Sequence, residues 1–399
     1  MTTNQIELVQ ATVPILRAHG VALTKHFYQR MFEHNPELKH VFNMGNQQNE
    51  KQQTALALAV LAYAENIEQP SVLLPVVNSI GHKHTSLDIR AEHYAIVGKH
   101  LIASIKEVLG EVATDDLLGA WAVAYQELAD LMSGHEQQIY NQKVSEKGGW
   151  TGWRPFVVKD KVVESSEITS FYLYPADQGP IADFKPGQYL SLRLFLPELN
   201  LLQPRQYSIS CAPNGQYYRI SVKREKGSQH PDGLISNRLH QVVQVGDVVE
   251  LSAPSGVFVL QNTKAKKKVF ISGGIGQTPL LSMLESLILQ KDAPAVQWIH
   301  GCREVEVHAF KNRLAEVVQQ HDNVQQHIFY DVVEETAAHV NKGWVELAQV
   351  NDAVVSQDAE YYICGPRGFI EKHYQYLVSQ NIDKASIFFE EFGPASLQM

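Results

Sequence analysis

The chain has 399 residues, of which 44% are hydrophobic and 19% charged, and its formal net charge is -9. This length favours two or three domains over a single core. The negative charge argues against nucleic acid as the main partner, because a phosphate-binding surface needs an excess of basic residues.

The cysteines and the apolar runs indicate the compartment. Cys211, Cys302 and Cys364 show no CxxC spacing, which fits a reducing compartment and predicts a cytoplasmic location. No apolar run approaches the ~20 residues of a membrane span, and the start of the chain does not have the pattern of a signal peptide. We therefore expect neither a transmembrane segment nor a structural disulfide.

Composition changes near residue 145. Residues 1–140 hold 7 of the 25 glycines and 4 of the 17 prolines, but 9 of the 17 histidines. This contrast predicts a helical first part and a remainder rich in strands and turns. The stretch from Lys147 to Pro155, which contains two Trp residues, is interpreted as a linker.

The first part is predicted to contain six or more helices. Apolar residues repeat every four positions from Val97 to Leu109, and a similar pattern from Leu117 follows an acidic start at Asp115-Asp116. Asn35 before Pro36 is typical of a helix cap followed by a first-turn proline.

From about residue 155 the apolar period becomes two, and turns such as Pro186-Gly187 separate the runs. These short strands predict an antiparallel β-barrel that ends near residue 262. Beyond Lys268, strands alternate with helices, which favours a doubly wound parallel sheet. The lysine cluster from Lys264 to Lys268 is interpreted as a solvated loop before the first of these strands.

Arg205-Gln206-Tyr207-Ser208 lies between two alternating runs near the middle of the chain. An Arg, a Tyr and a Ser on one strand could bind the pyrophosphate, the ring and a polar atom of a flavin nucleotide. An ordinary strand with an Arg-Tyr pair is the alternative for these four residues alone.

Two further motifs each follow a predicted strand. Gly273 to Pro279 (GGIGQTP) opens a helix, where backbone N–H groups favour an anion, but Pro279 stands where a dinucleotide motif would have its last glycine. Cys364-Gly365-Pro366 ends the last apolar strand. A plain turn is the alternative for both motifs.

In this order, the motifs resemble the ferredoxin-reductase-type flavoproteins over residues 155–399, with Val222-Lys223-Arg224 and the ending Glu390-Glu391-Phe392-Gly393-Pro394 as further members. The resemblance implies that FAD is bound by Tyr189, Arg205, Gln206, Tyr207, Ser208 and, at its phosphates, Ser236. It implies that the nicotinamide nucleotide is bound by Gly274, Ile275, Gly276, Gln277, Thr278 and Pro279. Phe392 would cover the flavin ring, and Glu391, Gly393 and Pro394 belong to the same segment, although the role of Glu391 stays open.

His82 and His84 are the notable histidines of the helical part. Two residues apart on a helix they point in different directions, so they cannot share one metal ion, whereas haem iron needs a single proximal imidazole. Tyr28, Gln52 and Leu56 could form a pocket on the distal side of such an iron. A generic helical core with polar edges is the alternative.

Over its whole length the chain resembles the flavohaemoglobins, through phrases such as Phe27-Tyr28-x-x-Met31-Phe32, Lys83-His84-Thr85-Ser86 and Gly148-Gly149-Trp150. The resemblance implies His84 as the proximal haem ligand and Tyr94 and Glu136 as its hydrogen-bonded network. It implies Tyr28, Gln52 and Leu56 in the distal pocket, Phe42 against the haem, and Lys83 and Glu390 as residues that tune the redox potentials. Without the resemblance, a solvated helix-end residue would be the preferred interpretation of Glu136.

The resemblance implies three domains and a linker. The domains are an all-α globin over 1–145, an antiparallel β-barrel that binds FAD over 155–262, and a doubly wound α/β domain that binds NAD(P)H over 263–399, and the linker covers 146–154. It implies a nitric oxide dioxygenase with one haem b and one FAD, which uses NADH or NADPH and oxygen to convert nitric oxide to nitrate. A haem-based sensor and a general flavin reductase are the rival functions.

We expect a monomer, and the resemblance leaves open whether a lipid occupies the distal pocket. Arg303, after a predicted strand, is either a contact for a 2′-phosphate or a solvated surface residue.

Overall fold

The structure is a computed structural model that describes residues 1–48, 50–227, 232–333 and 339–393. The chain divides into two compact units. The first contains Met1–Trp153, Ser191–Arg205 and Gly393, and the second contains Arg154–Leu190 and Gln206–Phe392.

The first unit is mainly helical. The α-helices among its described residues are α1 (Thr3–Gln10), α2 (Val13–His34), α3 (Met44–Gln48), α4 (Lys51–Glu65), α5 (Leu74–Ser86), α6 (Ala91–Leu109) and α7 (Asp115–Ser145). Helix α7 begins at the predicted acidic pair, where the Thr114 hydroxyl accepts a hydrogen bond from Leu117 N at 3.2 Å. Phe27, Met31 and Ala124, with at most 1% of their surface exposed, are in the core where α2, α4, α6 and α7 pack together.

Asn35 and Pro36 occupy the predicted positions, the N-cap and the first turn of a short helix. Pro36 does start a helix, the short 3-10 helix Pro36–His40, but the Asn35 side chain makes no capping hydrogen bond. Its amide nitrogen donates to Glu37 at 2.8 Å, and its oxygen pairs with Nε2 of His100 at 2.9 Å. At the side-chain oxygen, a tertiary contact with His100 therefore takes the place of a local capping hydrogen bond.

Six strands form the first sheet: β1 (Arg154–Val163), β2 (Ile168–Pro175), β3 (Tyr189–Leu196), β4 (Leu201–Ser208), β5 (Tyr218–Lys223) and β6 (Val248–Leu251). Their order is β4-β3-β6-β1-β2-β5, and the pairs β1–β2, β1–β6 and β2–β5 are antiparallel. An antiparallel bridge joins Ile209, just after β4, to Ile220 in β5. The two ends of the sheet therefore meet, as the predicted barrel requires. Helix α8 (Leu234–Gln241) precedes β6.

The second sheet is parallel, with the order β10-β9-β8-β7-β11-β12. Its strands are β7 (Lys267–Gly273), β8 (Ala295–Cys302), β9 (Val324–Tyr330), β10 (Val340–Lys342), β11 (Ala359–Gly365) and β12 (Ile387–Glu391). The helices are α9 (Gln277–Ile288), α10 (Lys311–Gln320), α11 (Asn351–Val354) and α12 (Arg367–Ser379).

Both faces of this sheet are covered by helices. Phe270 packs in one apolar cluster with Leu284 of α9, and its neighbour Ile271 packs in another with Ile370 and Leu377 of α12. Successive residues of a strand point to opposite faces, so a strand buried on both sides is apolar throughout. The predicted doubly wound parallel sheet is confirmed.

The interpretation of the lysine cluster as a solvated loop is wrong for Lys268. Strand β7 already begins at Lys267, and Lys268 is only 2% exposed. Its ammonium pairs with Glu360, the residue opposite it on β11, and the Tyr362 hydroxyl donates to the same carboxylate at 2.7 Å. A cation is tolerated at this depth because an opposite charge and hydrogen bonds compensate its lost hydration. In the part of the chain that the structure describes, no helix combines the length and the apolar character of a membrane span.

Candidate functional site

His84 lies in the last turn of α5, where its ring faces two polar residues of neighbouring helices. Its Nδ1 atom lies 2.7 Å from Oε1 of Glu136 on α7 and 3.1 Å from the Tyr94 hydroxyl on α6. The Tyr94 hydroxyl donates to the same Oε1 atom at 2.6 Å. Glu136 is 2% exposed, so it is not the solvated helix-end residue of the alternative interpretation.

These contacts determine where the imidazole proton lies. An ionised carboxylate can only accept hydrogen bonds, so Nδ1 of His84 carries the proton that it donates to Glu136. In the neutral form of this imidazole the lone pair is at Nε2, an atom that has no hydrogen-bond partner among the described residues. This arrangement suits a neutral imidazole that binds a metal ion through Nε2 and is oriented through its other nitrogen.

The network has support that the sequence analysis missed. The Tyr125 hydroxyl donates to the carbonyl oxygen of Tyr94 at 2.7 Å. A Cβ atom on Gly98 would lie 2.4 Å from the Tyr125 ring, so only glycine at this position of α6 lets the ring approach. Burial and the adjacent Glu136 carboxylate raise the pKa of Tyr94, which therefore remains a hydrogen-bond donor at neutral pH. Only the spacing of Tyr125 within the apolar stripe of α7 was visible in the sequence.

Tyr28 on α2 is 5% exposed and lies among aromatic rings. Its ring centroid lies 5.8 Å from that of Phe42 and 5.9 Å from that of Phe32. Burial raises the pKa of Tyr28, and a hydrogen bond with the Gln52 side chain opposes this shift. The hydroxyl thus stays protonated, and Gln52, in the first turn of α4, lies beside it. Leu56, one turn further along α4, packs against the same helical core.

The helical unit suits haem better than a bare metal ion. A single imidazole with a lone pair at Nε2 can supply an axial ligand to haem iron, but it cannot hold a metal ion alone. No group of three or more His, Cys, Asp or Glu side chains that could hold a metal ion occurs among the described residues. Tyr28 and Gln52 offer polar hydrogens, and Phe42 and Leu56 offer apolar surface for a porphyrin.

The Arg-Gln-Tyr-Ser stretch ends β4. Arg205 belongs to the first unit, in which its Nη1 donates to the carbonyl oxygen of Pro204 at 2.7 Å. In the second unit, Ser208 is buried, and Gln206 and Tyr207 are half-buried. Arg205, Gln206 and Tyr207 each have polar or aromatic interactions. Their roles towards a flavin stay predictions.

The other predicted flavin residues also lie in the second unit. Tyr189 opens β3 and exchanges two backbone hydrogen bonds of 2.9 Å with Ser255. A Cβ atom on Gly256, whose φ is +115°, would lie 3.0 Å from the Tyr189 ring. Ser236, in the first turn of α8, donates to the carbonyl oxygen of Gly233 at 3.0 Å and accepts from Glu225 N at 3.2 Å. Its hydroxyl therefore already helps to hold the start of this helix.

The two glycine motifs meet at the carboxyl edge of the parallel sheet. A Cβ atom on Gly276 would lie only 2.2 Å from the carbonyl oxygen of Cys364. A Cβ atom on Gly365 would lie 3.2 Å from the backbone nitrogen of Gly273. The crevice at the carboxyl ends of strands in such sheets is where ligands bind.

In the turn from Gly274 to Pro279, burial increases along the chain. Gly274, whose φ is +54°, and Ile275 are half-buried, whereas Gly276, Gln277, Thr278 and Pro279 are buried. The Thr278 hydroxyl donates to the carbonyl oxygen of Ile275 at 3.0 Å. The turn can thus bind an anion through the backbone N–H groups at the start of α9.

The C-terminal motif begins with the last two residues of β12. Glu390 and Glu391 lie opposite Cys364 and Gly365 on β11, and Phe392 is 43% exposed. In the first unit, the Lys83 ammonium donates to the carbonyl oxygen of Gly393 at 2.7 Å. Pro394 lies outside the described residues.

Two family models match parts of the chain: a globin family over residues 25–132 and an oxidoreductase NAD-binding domain family over residues 270–375. The flavohemoprotein of Bordetella parapertussis is 50% identical over 392 residues, which cover 97% of each protein. That of Bacillus subtilis is 41% identical and covers 99% of this chain and 98% of its own.

Solved structures agree with this similarity. The flavohemoglobin of Malassezia yamatoensis, determined with bound FAD and heme, superposes with a TM-score of 0.86 at 25% identity and covers 98% of this chain and 99% of its own. The flavohem-like FAD/NAD-binding domain of the nitric oxide dioxygenase of Vibrio cholerae is 38% identical, with a TM-score of 0.55, and covers 60% of this chain and 99% of its own.

Proposed function

The chain belongs to the flavohemoprotein family, and on this premise we propose that it is a nitric oxide dioxygenase. It takes electrons from NADH or NADPH, passes them through one FAD to one haem b, and converts nitric oxide and oxygen to nitrate. Its physiological role is then the removal of nitric oxide. The observation that carries the proposal is the contact of Nδ1 of His84 with the buried carboxylate of Glu136.

The contact between His84 and Glu136 favours a reaction of oxygen at the iron over reversible binding of oxygen. When bound, haem supplies the iron centre at which oxygen and nitric oxide react. His84 would bind this iron through Nε2, while Glu136 and Tyr94 orient the ring and make it a stronger electron donor. A carrier globin, which must release oxygen unchanged, has no need for such a donor.

Tyr28 and Gln52 would act on the opposite side of the iron. The protonated Tyr28 hydroxyl and the Gln52 amide can donate hydrogen bonds to a polar diatomic ligand, with stabilisation that increases in a dry pocket. Phe42 and Leu56 contribute apolar surface that excludes water. We propose that a lipid can also enter this pocket, because part of its surface is apolar.

The middle of the chain would hold the flavin. When bound, FAD accepts a hydride from the nicotinamide and releases its electrons one at a time. The residues that we assign to it are Tyr189, Arg205, Gln206, Tyr207, Ser208 and Ser236. Arg205 would neutralise the pyrophosphate, and the Tyr207 ring would lie on the isoalloxazine.

The glycine turn would bind the nicotinamide nucleotide through the backbone N–H groups of Gly274, Ile275 and Gly276. Gln277, Thr278 and Pro279, the last of which has no backbone N–H, complete the site. Phe392 would cover the flavin until the nicotinamide replaces it, and Glu391, Gly393 and Pro394 belong to this segment. Lys83 and Glu390 would tune the potentials of haem and flavin.

We also propose the boundaries 1–145, 146–154, 155–262 and 263–399 for the globin, linker, FAD and nicotinamide domains.

We further propose that the protein acts as a monomer in the cytoplasm. The thiols of Cys211 and Cys364 are buried and unoxidised, and burial raises the pKa of Cys211 to about 11. Thiols without disulfide partners suit a reducing compartment.

The decisive experiment follows nitric oxide with an electrode in the presence of purified holoprotein, NADH and oxygen, and measures nitrate at the end. We expect rapid consumption of nitric oxide with nitrate as the product. Slow consumption at saturating NADH and oxygen would instead support a haem-based sensor. Full physiological activity in haem-free protein would support a general flavin reductase.

A further inference from the structure

The choice between NADH and NADPH is decided where the adenosine ribose meets the protein. In a doubly wound sheet, the residues after the second strand contact the ribose 2′-hydroxyl, or the 2′-phosphate in its place. Strand β8 follows the glycine turn and helix α9, so it is this second strand. Its last residues, Gly301 and Cys302, lie opposite Gly273 and Tyr330 of the neighbouring strands.

The first residue after β8 is Arg303, the natural partner of a 2′-phosphate. Its position is set by backbone hydrogen bonds: Val332 N donates to the carbonyl oxygen of Arg303 at 2.8 Å, and Asp331 N donates to that of Cys302 at 3.2 Å. The side chain is 61% exposed and is accessible to a ligand from solvent. Arginine binds phosphate well because its planar guanidinium forms two parallel hydrogen bonds.

Arg303 already has an anionic partner, however. Its Nη2 atom forms an ion pair with Oε1 of Glu167, in the turn between β1 and β2. Three backbone contacts hold that turn in place. Ser166 N donates to the carbonyl oxygen of Glu306 at 3.0 Å, Arg224 N donates to that of Glu167 at 2.7 Å, and Glu167 N donates to the hydroxyl of Ser165 at 3.3 Å. The Glu167 side chain is only 28% exposed, so this carboxylate is presented at a fixed place.

Further acidic residues surround the end of β8. Glu304 and Glu306 follow in the same loop, and Asp331 follows the adjacent strand β9. These charges affect the pKa of the Cys302 thiol. Burial is the main cause that raises this pKa to about 12, the carboxylates of Asp331 and Glu167 raise it further, and Arg303 lowers it. A 2′-phosphate carries nearly two negative charges, so these carboxylates would repel it. The Arg303 guanidinium, which could attract it, is already paired with Glu167.

We infer that Glu167 makes this protein select NADH over NADPH by holding Arg303 in an ion pair and so withholding it from a 2′-phosphate. The inference rests on the proposed function only in requiring that a nicotinamide nucleotide reduces the flavin. A ribose 2′-hydroxyl, being neutral, has no need of Arg303 and can donate to a nearby carboxylate. The carboxylate that discriminates between the nucleotides thus comes from the β1–β2 turn of the antiparallel sheet.

The test is anaerobic stopped-flow reduction of the flavin in the holoenzyme, with NADH and NADPH in separate titrations. We expect the wild type to prefer NADH. Glu167→Gln should raise kcat/KM for NADPH by about tenfold and leave that for NADH within about threefold, because a released guanidinium adds a charge-assisted contact to phosphate. Adding Arg303→Ala to Glu167→Gln should abolish this gain.

Glu164→Gln is the matched control, because it removes the same charge three residues earlier in the chain. It should leave the ratio of the two kcat/KM values unchanged. Calorimetric titration with 2′,5′-ADP and 5′-ADP gives a readout independent of turnover: only 2′,5′-ADP should bind more tightly to Glu167→Gln.

A wild type that prefers NADPH, a Glu167→Gln variant with an unchanged ratio, or an equal gain in Glu164→Gln would overturn the inference while leaving the proposed function intact. Flavin that neither nucleotide reduces would contradict the proposed function itself.

Discussion

Nδ1 of His84 and Oε1 of Glu136 lie 2.7 Å apart, with the carboxylate 2% exposed and also bound by the Tyr94 hydroxyl. A carboxylate with two hydrogen-bond donors at this depth is held in one orientation and holds the imidazole in one tautomer. Metal ligands fixed in this way depend strongly on their partners.

Glu136→Gln should keep the shape of the network but remove its charge. We expect haem to stay bound, the iron–histidine stretching frequency to fall, and nitric oxide turnover to fall by about tenfold or more, because the imidazole becomes a weaker donor. Resonance Raman spectroscopy and the nitric oxide electrode measure these changes. Glu127→Gln, at an exposed position of the same helix, should change neither quantity.

His84→Ala should remove the normal haem absorbance while FAD stays bound, because the buried carboxylate of Glu136 orients the imidazole of His84. His82→Ala should keep the full spectrum. An absorbance spectrum of each purified variant decides the matter, and loss of haem in His82→Ala alone would refute the choice of ligand.

Tyr28→Phe removes a buried donor without changing the shape of the ring. Since a hydrogen bond to a charged or strongly polarised group contributes roughly 1.5–3 kcal/mol, oxygen should dissociate from the reduced protein about 10 to 100 times faster. Flash photolysis gives this rate, and flavin reduction by NADH should be unaffected. Tyr63→Phe, which loses an equally buried hydroxyl bound to the carbonyl oxygen of Ala124 at 2.9 Å, should destabilise the fold but leave oxygen dissociation unchanged.

Gly276→Ala should damage the nucleotide-binding edge. Its Cβ atom would lie 2.2 Å from the carbonyl oxygen of Cys364, so β11 and the glycine turn must move apart. We expect a loss of about 1–3 kcal/mol in the free energy of unfolding and a raised KM for NADH. Gly368→Ala is the control, because nothing lies within 4 Å of its added atom. Equal effects of the two substitutions would contradict the close approach.

His373→Leu should stabilise the second unit, most of all in acid. His373 is 1% exposed, and neither of its nitrogens has a partner among the described residues. Burial lowers its pKa from an ordinary value of 6.5 to about 4. Between these two pH values the unfolded chain binds a proton that the folded chain does not, so the free energy of unfolding falls as the pH is lowered, by roughly 3 kcal/mol in total.

Urea unfolding at a series of pH values between 7 and about 4 measures this dependence. His373→Leu should flatten it, whereas His339→Gln, at an exposed histidine, should leave the slope unchanged. An identical slope in His373→Leu and the wild type would show that this histidine does not titrate on unfolding.

Much of the architecture was determined by the sequence alone. The change of apolar period from near four to two, and then to alternating strands and helices, depends on local backbone geometry, and it predicted the helical part, the antiparallel strands and the parallel sheet in the right order. The two glycine motifs could be placed at strand ends because only glycine allows the backbone to approach so closely, as Gly276 and Cys364 do.

Only the tertiary structure decided which polar groups are buried together. Lys268 and Glu360, 92 residues apart, are an ion pair because adjacent strands place them opposite each other. The side-chain oxygen of Asn35 pairs with His100 instead of capping its own helix, and the buried carboxylate of Glu136 pairs with His84. Such contacts are strong because the partners meet where water is excluded, and this requires residues distant along the chain to pack together. No local pattern of residues carries that information.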